Sequence, residues 1–203
     1  MVPVAAGAAL AQKLSKNGFV VLNYIGDGGA SVGEVHEGLM MASTLVLPLI
    51  LIIENNQYAY STPLTKQAHN PKLSDRAIGY GIPGVTVDGT DIEAVFDATT
   101  KAVQHARDGK GPSIIETLTM RMRGHAEHDA FEYVPKEMLE EWDKKDPVRK
   151  TAELLVKKGL SKKEIEMIDQ EAKSEIEEAI EYANGLPDPD ADGAFKNVFY
   201  EEK

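Results

Sequence analysis

The sequence predicts an α/β fold: a mostly parallel, doubly wound sheet flanked by helices, with a helical C-terminal extension. Three observations lead there. Residues 19–25 and 49–53 are short, uncharged, β-prone runs, as strands buried on both faces are. Segments with helical spacing alternate with such runs, which is the pattern of a parallel sheet wrapped by helices. A glycine-rich turn, Gly26-Asp27-Gly28-Gly29, joins the first run to a helical segment.

Taken in order, residues 4–14 are alanine-rich and helix-compatible, and Gly18 ends them. After the glycine-rich turn, Ser31-Val-Gly-Glu34 has the capping-box pattern that opens a helix. Val32, Val35, Leu39, Ala42 and Val46 mark the apolar face of that helix. Pro48 precedes the second strand, which runs into Glu54-Asn55-Asn56. Strand, turn, helix and strand make a βαβ unit, and its parallel pairing puts both strand ends on one sheet edge. Residues 84–87 form a further short strand. Asp91 caps a helix carrying Ile92, Val95, Phe96, Thr99 and Val103, which Gly109 stops. Residues 113–120 are another strand.

The last third changes character. Residues 135–144 are a short polar helix that Trp142 anchors. Asp146-Pro147 opens the next helix, and Gly159 closes it. Ser161-Lys-Lys-Glu164 is a second capping box, before a helix with Ile165, Ile168, Ala172, Ile176, Ile180 and Ala183 on one face. Its charges read as a solvated face. Residues 1–134 are expected to form the core domain, and 135–203 a helical extension packed on it.

Composition narrows the function. Hydrophobic residues make up 42% and charged residues 27%, ordinary for a soluble globular protein. The net charge of -11 argues against a nucleic-acid or anionic-membrane surface, since both need a basic footprint. With no cysteine there is no disulfide, thiolate nucleophile or cysteine metal site. Residues 1–12 lack the basic start of a signal peptide, and Glu54 ends the apolar run at 45–53. The protein is expected to be cytoplasmic.

The informative constellation is Gly26-Asp27-Gly28, then 26 residues (29–54), then Asn55-Asn56. Asp27 falls at a strand's C-terminal end and a helix mouth. Gly28 and Gly29 have no Cβ, so their N–H groups can approach an anion closely. One carboxylate plus one amide oxygen is a partial shell for Mg²⁺, which takes oxygen ligands and completes its shell with phosphates. The inferred site is a metal diphosphate. Rival motifs fail: Ser31 stands where a dinucleotide fingerprint needs glycine, and Gly111 follows Lys110 where a P-loop needs Ser or Thr. The acidic run Asp188-x-Asp190-x-Asp192-Gly193 ends on Phe199 where a calcium loop has Glu, and reads as an acidic turn. His36-Glu37 continues to Met40, so no zinc-protease helix is present.

These residues resemble the thiamin-diphosphate signature. More of the chain is similar to alpha subunits of the decarboxylating component of pyruvate, acetoin and branched-chain 2-oxo acid dehydrogenase complexes. The matching pieces are Val2-Pro3 with Gly7, Glu54-Asn55-Asn56-x-Tyr58, Ile82-Pro83-Gly84-x-x-Val87-Asp88-Gly89, Gly109-Lys-Gly-Pro112 and Arg121-x-x-Gly124-His125. The resemblance runs from about Val2 to Ala183 and implies a thiamin-diphosphate-binding fold lacking roughly its N-terminal third. It implies that Asp27, the Asn56 side chain and the Tyr58 carbonyl hold Mg²⁺. By the same resemblance Gly28 and Gly29 would hold the diphosphate, Arg121 would face it, and His125 would be the catalytic histidine on a mobile loop, in contact with the cofactor.

The implied partners are a beta subunit, which carries the activating glutamate, a lipoyl acyltransferase component and a separate N-terminal segment. The run Ala126-Glu-His-Asp129 lacks the serine that regulatory kinases modify in mitochondrial relatives.

Blander readings stay beside these. Asp27 could simply cap a helix, and Asn56 could be a turn residue. Arg121 could be a surface ion-pair residue. His125-x-x-His128-Asp129 could be a solvated loop or a loop metal site. A non-catalytic fragment that keeps only fold and interface is the alternative function. Acetohydroxyacid-synthase-like or transketolase-like chemistry suits the core motif but not Arg121-x-x-Gly124-His125.

Overall fold

The structure, a computed structural model, describes residues 1–196 and 198. The elements run α1 (Val2–Ser15), β1 (Val21–Gly26), α2 (Gly33–Thr44), β2 (Leu49–Asn55), a hairpin of β3 (Tyr58–Ala59) and β4 (Thr62–Pro63), α3 (Leu64–Gln67) and α4 (Arg76–Tyr80). Then follow β5 (Gly84–Asp88), α5 (Ile92–Arg107), β6 (Ser113–Leu118), α6 (Lys136–Asp143), α7 (Pro147–Lys157) and α8 (Lys162–Asn184). The chain divides into two compact units, residues 1–151 and 152–203.

In the first unit, four parallel strands stand in the order β1-β2-β6-β5. The interior strand β2 shows why. Leu49, Leu51 and Ile53 face the core beneath α1 and α2, while Ile50 and Ile52 join Ile115 and Ala102 of α5 on the other face. A strand buried on both faces needs this unbroken apolar run. Helices therefore lie on both sides, and the α/β expectation holds. Gly38 lets α1 and α2 meet: a Cβ there would lie 2.9 Å from the backbone at Val2 and Pro3.

Several local expectations are corrected. β1 is an edge strand, and one of its faces is open, with Leu22 and Tyr24 37% and 56% exposed. Ser31 does not cap α2. It lies in a 3-10 turn, Gly29–Ser31, and α2 starts at Gly33 behind an extended Val32 with no side-chain cap. Arg76 has taken the region over: it donates to the Ala30 carbonyl and to Ser31 Oγ. Val32 and Val46 are exposed, and Val46 lies past the helix in a left-handed turn. On α5 the buried line runs through Ala102 and Ala106, while Ile92 and Phe96 face outward. The strand expected at 113–120 stops at Leu118.

Other signals act as read. Asp91 accepts from the Glu93 and Ala94 N–H groups, and Asp146 from those of Val148 and Arg149. In the second unit Ser161 and Glu164 form the reciprocal capping box. The α8 residues Ile168, Ile176 and Ile180 are exposed. Asp190 accepts from the Asp192 N–H in the acidic turn, whose final position, Phe199, lies outside the described residues. No described helix is long and apolar enough to cross a membrane.

A buried polar cluster ties the sheet's C-terminal half together. Glu116 on β6, 1% exposed, accepts from Asn55 Nδ2 at 2.6 Å, the Ser74 N–H at 3.0 Å and Thr86 Oγ1 at 2.7 Å. Removing the carboxyl group strands these donors away from water. Glu116→Ala is expected to lower the unfolding free energy by more than about 3 kcal/mol, and Glu116→Gln, which keeps one acceptor oxygen, by about 1–2 kcal/mol. Urea unfolding measures both, and equal stability of all forms contradicts this role.

Candidate functional site

The register of the strands builds the site. Gly26 pairs with Glu54 and Glu54 with Thr117, so β1, β2 and β6 end at one edge. The segments beginning at Asp27, Asn56 and Thr119 leave from it side by side. The loop after β2 is anchored from below. Asn55, fully buried, spends its amide on Glu116, and its Oδ1 accepts the Gln57 N–H at 3.1 Å. Gln57 Nε2 donates to the Thr119 carbonyl at 2.9 Å. These bonds hold Gln57 at φ 71°, a left-handed conformation that non-glycine residues adopt at a cost.

Asp27 is 1% exposed at the mouth of β1. Gln67 Nε2 donates to its Oδ2 at 2.8 Å, and no basic side chain among the described residues pairs with it. Gly28 lies against the hairpin. A Cβ there would come 2.6 Å from Ala59 Cβ, so this position excludes any side chain. Asn56 Oδ1 accepts the Tyr58 N–H at 3.2 Å, which leaves that oxygen a second lone pair. The Tyr58 ring is buried packing, in a cluster with Met120 and Val134 that Trp142 of α6 joins. Gly29 begins the 3-10 turn beside Gly28.

Arg121 and His125 reach the same hairpin from β6. Arg121 Nη2 donates to the Tyr60 carbonyl at 2.7 Å and to Tyr133 Oη at 2.6 Å, Nε donates to the Arg123 carbonyl, and the guanidinium lies over Phe131. His125 Nδ1 is 3.3 Å from Arg121 Nη1, and its exposed ring stands edge-on to Tyr60. The structure thus gathers Asp27, Gly28, Asn56, Tyr58, Arg121 and His125 around the β3–β4 hairpin. His128 is exposed and takes no part. Among the described residues, no group of three or more His, Cys, Asp or Glu side chains could hold a metal. A cation here needs oxygens from amide, carbonyl and ligand, which suits the one carboxylate present.

Sequence reasoning passed over Gln67, Tyr60 and Tyr133. Nothing in periodicity or motif spacing marks them, because their partners are distant in the chain. The loop at 124–133 is also better tied than its polar composition suggests. Asp129 accepts the His125 N–H at 2.8 Å, the Phe131 N–H at 3.0 Å and Tyr133 Oη at 2.7 Å. The Tyr133 hydroxyl and the His125 N–H, chiefly, hold the Asp129 carboxyl below its usual 3.8. Burial, and then the bond to Asp129, push Tyr133 up. A lowered carboxyl pKa orders the loop above pH 3.8, and that ordering is lost as pH falls through the lowered value. The amide resonances of His125 and Phe131 should therefore titrate together below pH 3.8 and stop doing so in Asp129→Asn. A shared midpoint at or above 3.8 contradicts the clasp.

The family profile described as "Dehydrogenase E1 component" matches residues 1–192. The chain is 41% identical over 185 residues to the pyruvate dehydrogenase E1 component subunit alpha of Bacillus cereus, covering 90% of this chain and 50% of the relative. Against the protein of the same name from Rhizobium meliloti it is 36% identical over 199 residues, covering 97% and 57%. Against that of Staphylococcus epidermidis it is 41% identical over 201 residues, covering 97% and 54%. The chain spans about half the length of these relatives. With the profile matched across nearly the whole sequence, the chain belongs to the dehydrogenase E1 component family.

Proposed function

We propose that this chain is the cofactor-binding part of the alpha subunit of a thiamin-diphosphate-dependent 2-oxo acid dehydrogenase. Its reaction is oxidative decarboxylation of a 2-oxo acid, with the acyl group passed to a lipoyl group. Pyruvate is the favoured 2-oxo acid, in keeping with the names of the relatives; acetoin, which has no carboxyl group to lose, would be cleaved at the same carbonyl instead of decarboxylated. The partners are a beta subunit, a lipoyl acyltransferase and sequence equivalent to the part of the relatives that this chain does not span, working together in the cytoplasm.

One contrast carries the reading. The two buried carboxyl groups near the sheet edge are provided for unequally. Among the described residues Glu116 has three donors, whereas Asp27 has one and no cation. A buried carboxylate left so short of partners is costly unless a cation joins it. The position beside it, Gly28, has no room for a side chain but leaves its backbone free to meet an anion. A divalent ion with a diphosphate answers both needs.

In this reading Asp27, the Asn56 amide oxygen and the Tyr58 carbonyl hold Mg²⁺. The Gly28 and Gly29 N–H groups hold the diphosphate, with the Arg121 guanidinium toward it. Bound thiamin diphosphate supplies the nucleophilic carbon and the electron sink for loss of CO₂. His125, exposed on the Arg121 loop, offers an imidazole that can give or take a proton during acyl transfer. Tyr60 and Asp129 set its position through the ring edge and its own N–H.

Titration calorimetry on the chain with its partner chains should show thiamin diphosphate binding only with Mg²⁺ or a similar ion. Asp27→Ala should abolish binding. Arg121→Ala should weaken it about 10–100-fold, the worth of one charge-assisted hydrogen bond. Equal binding in excess chelator contradicts the metal-diphosphate site. The purified chain alone should not decarboxylate 2-oxo acids, and adding a beta subunit with the part of the relatives that the chain does not span should restore turnover; activity of the isolated chain refutes the shared site.

A further inference from the structure

Gln67 ends the short helix α3, and its side chain meets the site from the hairpin side. Its Nε2 donates to Asp27 Oδ2 at 2.8 Å and to the Thr62 carbonyl at 2.9 Å. An amide nitrogen has two hydrogens, and both are spent on acceptors. The amide cannot be turned over, because an oxygen would then face two oxygens. Gln67 Oε1 is therefore fixed in place, and it is buried with no hydrogen-bond donor among the described residues. A Cβ on Gly28 would lie 3.9 Å from it, so it sits beside the Gly28 backbone. Two features coincide here: a carboxylate short of a cation, and an amide oxygen short of a donor, held by one side chain.

We propose that Gln67 is a positioning residue of the metal site. By occupying Asp27 Oδ2 it leaves Oδ1 as the oxygen offered to the divalent cation. Its own Oε1 accepts a hydrogen bond from water that the cation carries in. Mg²⁺ gives up its hydration reluctantly and keeps water when bound, so the donor that Oε1 lacks arrives with the ion. The hydrogen bond to Thr62 fixes the amide to the hairpin, and with it the carboxylate rotamer. This inference rests on the metal-diphosphate reading of the site.

The test uses the chain assembled with its partner chains and saturating thiamin diphosphate. Mn²⁺ affinity is read by electron paramagnetic resonance. Gln67→Met, or Gln67→Leu should the first fail to fold, is expected to bind Mn²⁺ about 10–100-fold more weakly, as loss of an outer-shell partner does. A second reading needs no variant: the side-chain carbonyl ¹³C resonance of Gln67 in the wild-type protein should move when Mg²⁺ is added with the cofactor, as its oxygen gains a donor. A merely structural glutamine would leave that signal where it was. Wild-type protein that takes up no Mn²⁺ with the cofactor overturns the functional reading itself. Wild-type uptake with variant affinity within about twofold, or with a Gln67 signal indifferent to Mg²⁺, overturns the positioning role alone.

Discussion

Parallel pairing of β1, β2 and β6 is the constraint on which the site depends. Parallel strands start at one edge and end at the other, so three segments distant in sequence emerge together. The register, Gly26 to Glu54 to Thr117, brings Asp27, the Asn55-Asn56 turn and the Arg121 segment to one edge. A slip of one residue would turn Leu49, Leu51 and Ile53 to the wrong face and break both cores at once. The apolar pattern of β2 thus fixes the register, and the register fixes which polar groups meet. Glu116 adds a second lock by joining β6 to Asn55, Ser74 and Thr86.

Much of this was legible in the sequence because it is local. The apolar runs at 19–25 and 49–53, the Asp91 and Ser161 caps and the turn after β1 each carry their information within a few residues. The failures are where tertiary contacts override local rules. Ser31 has good capping chemistry, but Arg76, 45 residues on, takes its hydroxyl. The run at 19–25 reads as doubly buried, yet only the face carrying Val21 and Ile25 is packed, and Leu22 and Tyr24 on the other face are exposed. On α5 the large apolar residues Ile92 and Phe96 look like core, yet the small Ala102 and Ala106 meet the sheet. Composition cannot tell a buried face from an open one.

The site divides in the same way. Asp27, Gly28 and Asn56 stand out because glycine, acid and amide at that spacing have few other uses. Gln67 does not, since a glutamine after a turn is ordinary until its amide is seen between Asp27 and Thr62. Tyr60 and Tyr133 are likewise invisible before folding, and with Asp129 they form the frame that holds Arg121 and His125. The residues to which the proposed function gives the chemistry are thus motif-like, while those that position them are set by the fold.

The account stands or falls on where a divalent ion binds. Crystals of the assembled subunits grown with Mn²⁺ and thiamin diphosphate, measured for anomalous scattering at the manganese edge, give the answer directly. An anomalous peak is expected against the Asp27 carboxylate, the Asn56 amide oxygen and the Tyr58 carbonyl, with diphosphate density against Gly28 and Gly29. Cofactor bound with no metal at Asp27, or metal held only elsewhere on the chain, would contradict it.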